Sequence, residues 1–217
     1  MPLRRRGTVT VDPLEARSKS LRTLPWADPA ALERFRQSQP SAEDLAAVDR
    51  YQKTPPEFLA NPYLRTRMLE NELAQMLRTW MTAVEQTVDA ESARKVCYAA
   101  GLAHGKRRLG TFLAGRGSTG GVEAMAAWQD TSHSSAGARH SSALFVRHDN
   151  ELVEVVRTED SFGMHTGDEP PNVMAFFDGL IDGYHLADPS LSYVEELVRE
   201  RPDGTREFVH RFWYLPK

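Results

Sequence analysis

Apolar residues return at three- and four-residue steps from position 64 onward: Leu64, Met68, Leu69, Leu73, Met76, Leu77, Trp80, Met81, Val84 and Val88. That period predicts one helix of about seven turns whose stripe packs into a core. A second helix over about 91–114 carries Gly101 and Gly105 one turn apart. Each interior glycine costs up to about 1 kcal/mol against alanine, so something must offset it. Close approach of another backbone is the expected reason, with approach of a ligand as the alternative. GRGSTGG at 115–121 interrupts the pattern; it follows no strand and lacks the Lys-Ser/Thr ending of a phosphate-binding loop. A short third helix is expected over about 121–129, and DTSHSSAGARHSSALF (130–145) opens as a loop.

Beyond that loop the period changes to that of strands. SSALFVRH and ELVEVVRTE are β-prone runs joined at Asp149-Asn150, a pair that tolerates a tight turn. Val173, Phe176, Phe177, Leu180, Ile181 and Tyr184 then share one face of a helix over about 172–185. LSYVEELVRE and TREFVHRFWYL close the chain around Arg201-Pro202-Asp203-Gly204, where proline suits the first turn position and glycine a left-handed one. The order is helices, hairpin, helix, hairpin. It predicts an α+β fold, with an antiparallel sheet of about four strands packed on one face by long helices.

Eight of the 13 prolines fall within the first 62 residues, so that stretch cannot be one long element. Residues 1–62 are expected to form a proline-rich arm with two short helices, one capped at Asp28-Pro29 and one at the SAED of 41–44. The domain itself spans 63–217, and residues 1–20 are expected to be mobile. Arg4, Arg5 and Arg6 look like a solvated end. A formal net charge of −3 over 217 residues gives no field that recruits nucleic acid. The chain has one cysteine, Cys97, and no run of 18 apolar residues or apolar leader. A soluble, cytoplasmic protein with a small-molecule partner is expected, without nucleic acid or membrane; the wide Met/Leu/Trp stripe leaves a homodimer open.

All seven histidines lie at or beyond position 104. They contain no HExxH and no i, i+4 pair, so neither a metal nor another cofactor is expected. Asp178, Asp182 and His185 share a helix face, but it lies opposite the apolar stripe and reads as solvated surface. The closing hairpin is more specific. A three-residue turn at 202–204 sets Arg201 against Thr205, Val198 against Phe208 and Glu196 against His210. A carboxylate beside an imidazole among Phe and Val orients a tautomer and favours its protonated form, as an acid–base group requires. A purely structural pair is the competing reading. His133 and His140, in the serine-rich loop, are further catalytic candidates. Arg139 could anchor a substrate carboxylate, and His165 and Trp128 are further substrate-binding candidates. No GxSxG surrounds any of the loop serines, so no Ser-His-Asp triad follows.

From about residue 63, two long helices, the small-residue segment YAAGLAHG, a hairpin, an amphipathic helix and a closing hairpin ending FVHRFWY resemble the L-2-amino-thiazoline-4-carboxylic acid hydrolase family. That family is similar in outline to the vinyl-reductase-type small-molecule-binding domains. The resemblance covers about two-thirds of the chain and is one of layout. It implies ring opening or C–N bond hydrolysis on a cyclic amino-acid-derived substrate in specialised metabolism. It also implies a cysteine in the closing strand, where this chain has Val209-His210, so a thiol mechanism lacks its residue here. The expectation is a hydrolase-like enzyme working through His210 and Glu196. A non-catalytic binding or sensor domain, and a cyclase or dehydratase, are the alternatives.

Overall fold

The computed structural model describes residues 4–23, 62–135, 145–157, 166 and 170–215, with the backbone alone for 62–71, 74 and 133–135. The short helices expected at Asp28-Pro29 and at 41–44 lie outside the described residues. The elements are β1 (Arg4–Val9), α1 (Glu15–Ser20), β2 (Arg22–Thr23), α2 (Pro62–Thr87), α3 (Ala90–Gly115), α4 (Val122–Ser135), β3 (Phe145–His148), β4 (Leu152–Arg157), α5 (Pro171–Ala187), β5 (Tyr193–Glu200) and β6 (Arg206–Trp213).

The fold is α+β, and the two expected hairpins form its centre. Among the described residues the sheet order is β1-β5-β6-β4-β3-β2. It exceeds the expected four strands because β1 joins one edge and the two-residue β2 the other. It is also mixed, because β1 runs parallel to β5. Residues 4–20 are therefore part of the fold rather than a bare solvated end: β1 completes the sheet and α1 follows it. The boundary drawn at 62 separates β1 from the sheet to which it belongs.

Local chemistry accounts for the elements. Asp89 caps α3 by accepting hydrogen bonds from the Glu91 and Ser92 amides at 3.0 and 2.9 Å. Pro170 and Pro171 open α5, where a missing amide proton costs nothing. The closing turn bonds Arg201 N–H to Thr205 O at 2.8 Å, and Gly204 sits at φ +83°. That turn fixes the predicted register, pairing Val198 with Phe208 and Glu196 with His210. α4 extends to Ser135, so the first six residues of the serine-rich segment are helical rather than loop.

Strand alternation gives the sheet two unlike faces. Val153, Val155, Val194 and Phe212 meet Leu109 and Leu113 of α3, Met125 and Trp128 of α4, and Ile181 and Tyr184 of α5 in the main core. The opposite face carries Leu152, Glu154, Arg211 and Trp213, with α1 across it.

α3 and α5 cross with their backbones in contact. A Cβ added at Gly101 would lie 1.9 Å from Phe176 O, and one at Gly105 would lie 2.1 Å from Leu180 O. Gly179 and Gly183 present the same small surface back to Tyr98 and Leu102. The packing explanation for Gly101 and Gly105 holds, and its other half is a second glycine pair on α5. α2 departs from expectation. Its Met81 is buried and Leu77 partly so against α3 and α5, but Leu73, Met76 and Trp80 are 60%, 64% and 40% exposed. Among the described residues the stripe is wider than the contact, with Leu77 and Met81 forming the edge that packs on the other helices.

Candidate functional site

β5 and β6 bring Glu196 and His210 together on the helix-facing side of the sheet, both buried. His210 Nε2 lies 3.3 Å from Glu196 Oε1. Burial pushes the Glu196 carboxyl up, but the His210 hydrogen bond and the charges of His210, Arg6 and Arg4 outweigh it and hold the group below its ordinary 4.5. An ionised carboxylate only accepts, so Nε2 carries the hydrogen and donates it. This fixes the ring's orientation.

The pair is part of a larger cluster. Arg6 Nη2 donates to Glu196 Oε2 at 2.5 Å, and Arg4 Nε approaches the same oxygen at 3.8 Å. Arg4 also donates to Asp178 Oδ1 at 2.5 Å, to the Asp178 carbonyl at 2.6 Å and to Asp182 Oδ1 at 3.3 Å. The Tyr98 hydroxyl donates to Asp182 Oδ2 at 2.8 Å, which together with partial burial pushes that phenol up. Five elements thus converge: β1, β5, β6, α3 and α5. Sequence reasoning missed Arg4, Arg6, Asp178, Asp182 and Tyr98. Arg4 and Arg6 are not a solvated end, and the aspartates are not bare surface, because these two side chains reach across to that face of α5. The available signal was the i, i+2 spacing of Arg4 and Arg6 in a segment continuing into the β-prone Thr8-Val9. His185 leaves the aspartates and bonds Leu191 O through Nδ1 at 3.1 Å.

Trp128 is buried in the core between Phe112 and Tyr184, with Arg108 stacked on its ring at 5.1 Å, and is separated from His210 by Tyr184 and Phe212. His133 lies on the last turn of α4. Arg139, His140 and His165 lie outside the described residues. Among the described residues no three His, Cys, Asp or Glu side chains gather as a metal site, and no helix is long and apolar enough to cross a membrane. A shallow open depression of about 560 Å³, lined by Gly121, Asn150, Ser190 and Tyr214 among others, does not include the cluster. Asp188 is fixed there by the Gly121 amide and the Tyr214 hydroxyl.

A second buried network occupies the opposite face. Arg211, 1% exposed, donates to Asp12 and to Glu154 Oε2, the latter at 3.0 Å. Arg199 Nη1 reaches Asp12 Oδ2 at 2.9 Å, and the Ser18 hydroxyl donates to Glu154 Oε2 at 2.5 Å. Burial raises the Asp12 carboxyl, but its bonds to Arg211 and the Leu14 amide and the two arginine charges bring it below its ordinary 3.8. This network fastens residues 12–18 to the sheet.

These two buried, depressed carboxyls both contribute to the response to acid. A group whose folded pKa lies below its unfolded one stabilises above the unfolded value, and that contribution is lost as pH falls through the folded value. Thermal melts should therefore hold from neutral pH down to about 4.5, the ordinary value of glutamate, and fall steeply below it. Glu196→Gln should flatten that fall while lowering stability at neutral pH. An acid limb identical in Glu196→Gln and the parent would remove Glu196 from this account.

Compared with known protein families, curated proteins and solved structures, the chain finds no match.

Proposed function

We propose that the chain is a hydrolase-like enzyme acting on a small polar or cyclic amino-acid-derived substrate. His210 is its acid–base group and Glu196 the residue that orients it. The carrying observation is the buried Nε2–Oε1 contact of 3.3 Å, with the carboxylate held as an anion by Arg6 and Arg4. In the reaction the imidazole takes a proton from the attacking water as the C–O bond forms, and returns it to the departing nitrogen as C–N breaks. The acid–base role rests on this geometry; the substrate class rests on the layout resemblance.

A second reading, a small-molecule-binding or sensor domain without catalysis, draws on a different observation. Arg4, Arg6, Asp178, Asp182 and Glu196 all find partners within the chain, as a structural cluster would. Turnover separates the two. His210 is buried, so alanine there would open a cavity and remove the donor to Glu196 Oε1; glutamine keeps a donor toward that oxygen. Across a panel of cyclic amino-acid derivatives, His210→Gln should lose about 10²–10⁴ in kcat/KM with a nearly unchanged melting temperature. Saturable binding without turnover, indifferent to His210→Gln, would replace the first reading with the second. A product lighter by one water would move the assignment to a dehydratase or cyclase.

A further inference from the structure

The chain turns around one edge of the sheet between Val9 and Asp12, and its two sides are held by different physics. Past the turn, Asp12 sits against Arg199 and Arg211 with side chains of 2%, 4% and 1% exposure, where added salt has little effect. Before the turn, no residue of β1 is fully buried and Val9 is its one apolar side chain. β1 is held instead by its ladder with β5 and by ion pairs. Of these, the pairs of Arg4 and Arg6 with Asp178 and Asp182 join side chains that are 16%, 25%, 37% and 28% exposed, within reach of solvent and screening; the Glu196 partner of both arginines is buried. Val11, at the turn, is 81% exposed.

The placement of β1 matters because of what lies beside it: it flanks β5, which carries Glu196, and β6, which carries His210, is the next strand. Arg6 closes over Glu196 Oε2, and Glu196 is wholly buried beside His210. We propose that β1 is a displaceable edge strap that shuts the Glu196–His210 pair in from the side, latched by Arg4 and Arg6, hinged at Thr10-Val11 and anchored beyond the hinge by Asp12. Its release is the route by which a small molecule reaches the pair. This rests on the pair being the functional site.

The test uses the full chain and no substrate. Amide exchange is followed in β1, β5 and β6 from about 0.01 to about 1 M salt, over which the Debye length falls from about 30 to about 3 Å. In parallel, modification of His210 by diethyl pyrocarbonate is timed by mass spectrometry in the parent and in R4Q/R6Q. High salt should speed exchange in β1 about tenfold or more while β6 is unchanged. R4Q/R6Q should exchange fast at both salts, and its His210 should react about tenfold faster than the parent's. The strap is overturned if β1 opens only together with β6 at every salt, or if His210 reacts equally fast in both proteins. Because neither readout involves turnover, a strap that opens over a His210 with no catalytic role would cost only the enzymatic reading.

Discussion

Arg211→Met should lower stability by about 3–5 kcal/mol, the usual effect of removing one member of a buried charge network. For a chain of this size that is a melting temperature lower by roughly 10 °C. Arg211 lies between Asp12 and Glu154, whose side chains are 2% and 0% exposed. Without the guanidinium, Asp12 retains Arg199 and Glu154 retains the Ser18 hydroxyl. Neither compensation restores the lost positive charge between two carboxylates. Replacing Glu154 as well, as Arg211→Met with Glu154→Leu, should recover part of the loss, because one of the two buried carboxylates left behind is then gone and Asp12 keeps Arg199. A single variant that melts with the parent would mean that the network is not coupled to folding.

The α3–α5 crossing carries the second large effect. Gly101→Ala places a Cβ 1.9 Å from the Phe176 carbonyl oxygen, and Gly179→Ala places one 2.0 Å from Tyr98 O. Both obstacles are backbone, so no side-chain rotation relieves them and the helices must separate. Overpacking of this kind costs typically 1–3 kcal/mol and sometimes more, against a helix-propensity gain of at most about 1 kcal/mol. Gly110→Ala is the internal control. It lies in the same helix, but its Cβ would meet nothing within 4 Å, so it should gain up to about 1 kcal/mol. Opposite signs at Gly101 and Gly110 in urea melts would establish the crossing. Equal effects would show that propensity alone governs α3. Separation of the helices would also shift Asp178 and Asp182, so Gly179→Ala should loosen Arg4 with them.

The contrast between what was readable and what was not follows contact distance along the chain. The closing turn specifies Glu196 opposite His210 because fourteen residues and a defined turn separate them. The cost of glycine in α3 implied a neighbouring backbone without saying which. β1 left no comparable local signal: its partner β5 begins near residue 193, and a parallel edge strand made largely of arginine looks like a polar end. Asp178 and Asp182 were misread for the same reason, since the residues that cover them come from the other end of the sequence. The α2 stripe shows the converse limit. Periodicity marks an apolar face, but only contact decides whether Leu73 and Met76 are covered.

The most direct test of the central claim is the His210→Gln comparison run in water enriched with heavy oxygen, with the mass of the product read out. The parent should form a ring-opened product carrying one solvent oxygen, and His210→Gln should form almost none at the same melting temperature. A product without solvent oxygen, or equal product from both proteins, would contradict that claim.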